Sequence, residues 1–563
     1  MPHYDRRAFM ASFSALGLGA TLLPGLLWAQ AAQGVELTVE VIASAEKLAG
    51  LTFTPEQREM MLRGLQNQQQ QVAGLRAIPL PNAVPPAIHF DPVPPGRSRP
   101  AMTTAPERGR MTRSPVPRRA VPSNLEELSF LPVTALADLV RRRQVTSVQL
   151  TEMYLRRLER YDPALRCVVT LTPERAIRQA READAEIARG RWRGPLHGIP
   201  WGAKDLLAVA GHPTTWGTTP YRAQTFDEDA EVVKRLDAAG AVLVAKLTLG
   251  ELAQGDTWFG GRTNNPWNLE QGSSGSSAGS ASATAAGLVG FAIGTETLGS
   301  ISSPSTRCGT TGLRPTFGRV PRTGAMALSW TMDKIGAICR SVEDCALVFD
   351  AIHGTDGLDR SVVDAPFTWN ATTPLRSIRI GYVQGAFERE SPQQPFDQAV
   401  LDTMRRLGVA LVPVEIPDMN YGAMRMILTA EAAAFFDDLT RSGRDAEMAQ
   451  QGANAWPNSF RTARFIPAVE YINANRARTL AMEQWARLFE TVDVIIAPTS
   501  GPQLTATNLT GHPAVILPNG FRENGTPVSI TFLAGLYDEA RLLVVASAYQ
   551  RATEFHLRHP PLG

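Results

Sequence analysis

The sequence predicts an α/β protein whose sheet is covered by helices on both faces, and three observations lead there. Apolar runs of strand length, AVLVAKL (241–247), VGFAIGT (289–295), SIRIGYV (377–383) and VDVIIAPT (492–499), alternate with stretches of helical periodicity. The 563 residues are 44% hydrophobic and 20% charged, which allows a large core in one big domain or two to three smaller ones. The formal charge is +2, from 56 basic and 54 acidic side chains, so the balance gives no argument for nucleic acid or an anionic surface as partner.

The N-terminal residues MPHYDRRAFMASFSALGLGATLLPGLLWAQAAQG hold an arginine pair (Arg6-Arg7), an apolar run from Phe9 to Ala29 and a small-residue site at Ala29-Gln30-Ala31. This pattern resembles a twin-arginine export signal over 1–31, removed after Ala31, and implies a periplasmic or secreted bacterial protein. The run is also long enough to span a bilayer as an uncleaved anchor. Pro24, the glycines and the serines make it weakly apolar, so no stable membrane span is expected after signal removal.

Residues 32–122 are expected to form a helical and proline-rich extension. Helical patterns fill 35–75, where Thr54-Pro55-Glu56 supplies a cap, a first-turn proline and an acid. From Pro79 to Pro122 there are 12 prolines and no sustained periodicity, which predicts an extended or irregular segment. Its seven arginines between 97 and 119 face one acid, Glu107, and fit a solvated basic linker better than an anionic partner site.

The globular body is expected over 123–563. VTSVQLTEMYLRRLERYDP predicts a helix capped by Thr146, with Gln149 completing a capping box and Pro163 closing it. A second helix is expected from Thr172-Pro173-Glu174 to Gly190. Four cysteines (167, 308, 339 and 345) form no metal-binding spacing, so no zinc or other cofactor is implied. Cys339 and Cys345 could pair in an oxidising compartment, although buried free thiols are the simpler expectation.

The stretch GSSGSSAGSASATAAGLVGFAIGTETLGS (272–300) carries seven serines and almost no charge. A flexible linker is excluded because SASATAAGL is helix-competent and runs into the strand-like VGFAIGT. Gly275-Ser276-Ser277-Ala278-Gly279 matches G-x-S-x-G, a nucleophile elbow, but that motif needs a strand immediately before it. The preceding TNNPWNLEQGSS is polar and loop-like, and none of the eight histidines sits in a distinctive motif. The third option is a lysine base. An exposed lysine titrates near about 10.4, and burial can lower it to neutrality. Lys204 in LHGIPWGAKDLLAVAGHPTT and Lys246 in VLVAKLTLG both follow apolar runs, with Lys246 the more structural of the two by context.

GIPWGAKD, GSSAGSASATAAGL, GTETLGSISSP and RCGTTGLRPTFGRV follow in that order, and together they resemble the amidase signature family from about Leu125 to Leu562. The resemblance implies an α/β/α sandwich around a large mixed β-sheet and hydrolysis of a small-molecule carboxylic amide, or a related C–N or ester bond, without metal. It implies Lys204 as base, Ser276 as bridging serine behind a cis Gly275–Ser276 peptide, and Ser300 as nucleophile forming an acyl-enzyme. The register that places SATAAGL in step with the family selects Ser276 over Ser273. The N–H groups of Thr297, Leu298, Gly299 and Ser300 are the implied oxyanion donors, with Ser277 supporting the site. Glu296 stands where Asp is usual, Leu298 where Gly is usual and Ser302 where Arg is frequent. Leu298 is expected to narrow the turn, and Glu296 without its arginine implies a rearranged support. Two alternatives remain: a glutamine-hydrolysing amidotransferase-type subunit with partner subunits, and a catalytically degenerate periplasmic binding protein. Oligomeric state is not specified by the sequence.

Overall fold

The computed structural model describes residues 37–48, 50–79, 87–88 and 111–562. The expected export signal lies outside the described residues, as do 80–86 and 89–110 of the proline-rich stretch. The chain divides into two compact units. One takes the chain up to His89 with Met419–Leu480, and the other takes Phe90–Asp418 with Ala481–Gly563.

The larger unit is built on eleven strands: β1 (Val168–Leu171), β2 (Pro200–Lys204), β3 (Val242–Leu247), β4 (Phe291–Glu296), β5 (Thr311–Arg314), β6 (Lys334–Cys339), β7 (Ile380–Val383), β8 (Leu411–Val414), β9 (Val494–Pro498), β10 (Ala514–Phe521) and β11 (Pro527–Ala534). They form one sheet in the order β8-β7-β9-β11-β10-β5-β6-β4-β2-β3-β1. The sheet is mixed: β3, β2 and β4 run parallel, as do β8, β7 and β9, while β6, β5, β10 and β11 pair antiparallel with their neighbours. The four apolar runs become β3, β4, β7 and β9. Every residue of β3, β6 and β11 is buried, so both faces of these strands are covered. Beside β3, Leu155 and Leu158 of helix Ser147–Leu165 and Ala176 and Ala180 of helix Pro173–Ala188 join Val242 and Val244 in one apolar cluster.

Helix Ser147–Leu165 starts as expected. Thr146 Oγ1 accepts from the Gln149 N–H at 3.0 Å, and Gln149 Oε1 accepts from the Thr146 N–H at 2.9 Å. Its end differs, because the helix passes Pro163 and stops at Arg166, which is left-handed with φ 50°. Asp162 makes the stop: its carboxylate accepts from the Cys167 and Val168 N–H groups at 2.7 and 2.9 Å. A proline removes one donor, whereas this carboxylate captures two donors of the departing chain. All four cysteines are buried free thiols.

In the smaller unit, helix Val39–Leu48 falls within the expected helical stretch and helix Pro55–Arg76 runs one residue past its end, with Thr54 forming a capping box with Gln57. Leu37, Ile42, Phe53, Met61 and Leu65 pack with Phe465 into a core of their own.

Candidate active site

The parallel register of β2 and β4 (Trp201↔Phe291, Ala203↔Ile293) brings Lys204 and Glu296 to the same ends of adjacent strands. Carboxyl ends of parallel strands are where the chain departs and a ligand can enter. Beyond Glu296, residues 297–300 form a turn before helix Ser302–Cys308. A third segment, Ser273–Ser277, leads into helix Ala278–Ala285, and the Ser277 N–H ties it to the turn by donating to the Ser300 carbonyl at 3.1 Å.

Lys204 is fully buried, and its Nζ donates to Ser276 Oγ at 2.9 Å, Ser277 Oγ at 3.1 Å and Thr295 Oγ1 at 2.8 Å. All three are neutral hydroxyls. Burial lowers the lysine to about 7, while the negative charges of Asp333 and Glu296 pull the other way. The Gly275–Ser276 peptide is cis, as the resemblance implies. Gly275 is required by space, since a Cβ there would lie 1.8 Å from the Gly255 carbonyl oxygen. Ser276 and Ser300 are 1% and 9% exposed, so the nucleophile candidate is the more open of the two.

Ser277, the central serine of G-x-S-x-G, is wholly buried. Its hydroxyl donates to the Thr295 carbonyl at 3.1 Å and accepts from the Thr295 N–H at 3.1 Å. That side chain has no freedom to attack a substrate. The expected loop before the motif does contain a short strand, Asn268–Gly272, but it pairs with Asn264–Asn265 in a separate ribbon and does not aim Ser277 outward. Ser280 and Ser282 are spent on the Ile293 and Asn264 carbonyls, at 3.0 and 2.8 Å.

Among the described residues, the N–H groups of Thr297, Leu298, Gly299 and Ser300 donate to no protein acceptor. The left-handed residue of the turn is Gly299, with φ +95°. Leu298 is absent from the left-handed residues, which is why a side chain is tolerated where the resemblance expects glycine. The expected rearranged support has a definite form. Glu296 Oε2 accepts from the Ile301 N–H (2.9 Å), the Ser302 N–H (2.8 Å) and Ser302 Oγ (2.8 Å). Its Oε1 accepts from Arg314 Nη1 and Asn508 Nδ2, both at 2.8 Å. Burial alone would raise this carboxyl, but the Arg314 guanidinium and these donors hold it at about 2. The cation missing at 302 is thus supplied from β5.

Sequence reasoning missed Thr295, Asn508, Asp333 and the role of Arg314. Thr295 and Arg314 both lie inside the quoted motifs, and adjacency to Glu296 was the available signal for Thr295. Asn508 and Asp333 reach the site only through the fold. Lys246 proves structural, as its context implies: its Nζ lies 2.7 Å from Asp205 Oδ1 and 2.6 Å from the Pro213 carbonyl oxygen.

A mixed α/β sheet with a buried lysine against a serine pair at its strand ends defines an amide-hydrolysing enzyme class. The chain belongs to the amidase signature family, and the family model described as Amidase matches residues 149–506. It is 37% identical over 474 residues to a glutamyl-tRNA(Gln) amidotransferase subunit of Methylococcus capsulatus, covering 76% of this chain and 97% of that protein. It is 35% identical to the putative amidase AmiD of Mycobacterium tuberculosis, covering 79% of this chain and 99% of that protein. Among solved structures, the native peptide amidase of Stenotrophomonas maltophilia superposes with a TM-score of 0.69 at 30% identity, over 78% of this chain and 99% of that one. The chain is therefore an amide-hydrolysing enzyme.

Proposed function

We propose that the enzyme hydrolyses a carboxylic amide through an acyl-enzyme on Ser300, with Lys204 as general base and Ser276 as the proton relay between them. The observation that carries this is a fully buried lysine, lowered to about 7, whose amine contacts Ser276 Oγ at 2.9 Å. A serine hydroxyl attacks only when a positioned base accepts its proton. Neutral Lys204 takes the Ser276 proton as Ser276 takes that of Ser300. The Ser300 oxygen then bonds to the amide carbon. The resulting oxyanion is met by N–H groups of the 297–300 turn, each such donor contributing about 3–4 kcal/mol. The relay returns the proton to the leaving amine, the C–N bond breaks, and water resolves the ester by the same route. Purified protein should release ammonia or amine from simple amides, and Ser300→Ala should abolish release with the fold intact. Activity that survives Ser300→Ala but is lost in Ser277→Ala would return the elbow assignment.

A second reading rests on the 37% identity to the amidotransferase subunit, which is named for work with glutamyl-tRNA(Gln). In that reading glutamine is the ammonia source and partner subunits receive it. Hydrolysis of simple amides by the chain alone supports the first reading; activity confined to glutamine and dependent on added partners supports the second. We propose further that residues 1–31 direct export. N-terminal sequencing of the secreted protein should begin near Ala32, and a chain beginning near Met1 contradicts it.

A further inference from the structure

We propose that Asp333 is a positioning residue for amide hydrolysis: its carboxylate holds Thr297, the first residue of the turn that carries Ser300 and the four open N–H groups. The inference rests on the assignment of that turn as the oxyanion site. In the antiparallel register of β6 and β4, Lys334 faces Glu296. One step further along, Asp333 faces Thr297, where the backbone ladder has ended. The tie is continued by side chains, with Thr297 Oγ1 donating to Asp333 Oδ1 at 2.6 Å.

Asp333 is itself fixed independently of Thr297. Its Oδ2 accepts from the Leu328 and Ser329 N–H groups at 2.7 and 2.9 Å, and its own N–H donates to the Ser329 carbonyl at 3.0 Å. A closed turn therefore presents the carboxylate as a rigid acceptor. Burial pushes this carboxyl up, while the Thr297 hydroxyl, the Arg322 charge and the Ser329 and Leu328 N–H groups favour its ionised form. At the far end of the 297–300 turn, Glu296 grips the Ile301 and Ser302 N–H groups. The turn is thus clamped between two carboxylates, one at the end of β4 and one just before the start of β6.

The same two carboxylates are the charges that act on Lys204, both raising it against burial. Glu296 is compensated by Arg314 in contact and Lys334 nearby, whereas Asp333 has Arg322 as its cationic neighbour. Asp333 thereby links the geometry of the turn to the pH range in which the base is free.

Kinetics of Asp333→Asn and Thr297→Val in the full chain, beside Ser300→Ala, test the proposal. Asn keeps the shape but removes the charge and one acceptor. Asp333→Asn should lower kcat about 10- to 100-fold with KM within about twofold, since small misplacements of reacting groups cost rates of that order. It should also move the acid limb of kcat/KM to lower pH, because Lys204 loses a charge that raises it. Thr297→Val should lower kcat about tenfold and leave the limb in place. A folded Asp333→Asn with wild-type kcat overturns the proposal, because the reaction then does not need what the carboxylate holds. So does a folded Thr297→Val with wild-type kcat, which decides the matter if Asp333→Asn does not fold. Activity persisting in Ser300→Ala would instead overturn the assignment of the nucleophile.

Discussion

Lys204 ends β2 and Lys246 lies one residue before the end of β3, its parallel neighbour, and both side chains are wholly buried. The register pairs Lys246 with Ala203, so the two lysines leave opposite faces of the sheet. Burial pushes both down. Their partners differ. Lys246 meets a carboxylate at 2.7 Å, and Asp205, pushed up by its own burial, is pulled back by Lys246. Lys204 meets three hydroxyls and has its two carboxylates only at a distance. Desolvation without a counter-ion in contact favours the neutral amine that a base needs, whereas desolvation with one favours an ion pair that braces the fold.

The largest expected effect separates the two lysines directly. Lys204→Met should reduce amide hydrolysis by at least about a thousandfold, the scale seen when a member of a nucleophile–base unit is removed. Lys246→Met should retain near-normal kcat in whatever protein folds. Its cost appears in stability, about 3–5 kcal/mol, because Asp205 is left buried and unpaired. Denaturant titration checks this, and Lys246→Met combined with Asp205→Leu should recover much of the loss.

The carboxylate clamp gives an intermediate effect. Glu296 is held at about 2 in the folded chain, against about 4.3 for an ordinary glutamate. Its folded value is depressed, so its contribution to stability is complete above about 4.3 and is lost as pH falls toward about 2. Acid unfolding followed by circular dichroism should show that loss, and Glu296→Gln should be less stable at neutral pH and flatter across this window. The smallest effect is at Thr295. Thr295→Val removes one acceptor of Lys204, which should slow turnover a few-fold, about 1 kcal/mol, and shift the acid limb slightly to lower pH.

Much of the fold was legible before the structure, as was the pairing of Lys204 with Ser276. The four apolar strands, the Thr54 cap, the Thr146 capping box and the ordered motifs that single out Lys204, Ser276 and Ser300 all depend on local sequence. Helix Ser147–Leu165 shows where local rules stopped short, because Pro163 was the visible breaker while Asp162 made the break. The support of the turn was not legible. Arg314, Asn508 and Asp333 meet Glu296 and Thr297 across separations of 18, 212 and 36 residues, and only the tertiary fold brings them there.

The central claim is that a buried, neutral Lys204 activates Ser300 through Ser276. Labelling with a serine-reactive phosphonate across pH, with mass spectrometry to locate the adduct, tests it most directly. The account predicts an adduct on Ser300 whose rate of formation rises with pH and levels off above about 7, where Lys204 loses its proton, and no adduct in Lys204→Met. An adduct on Ser277, or a rate still climbing toward the about 10.4 of an ordinary lysine, would contradict it.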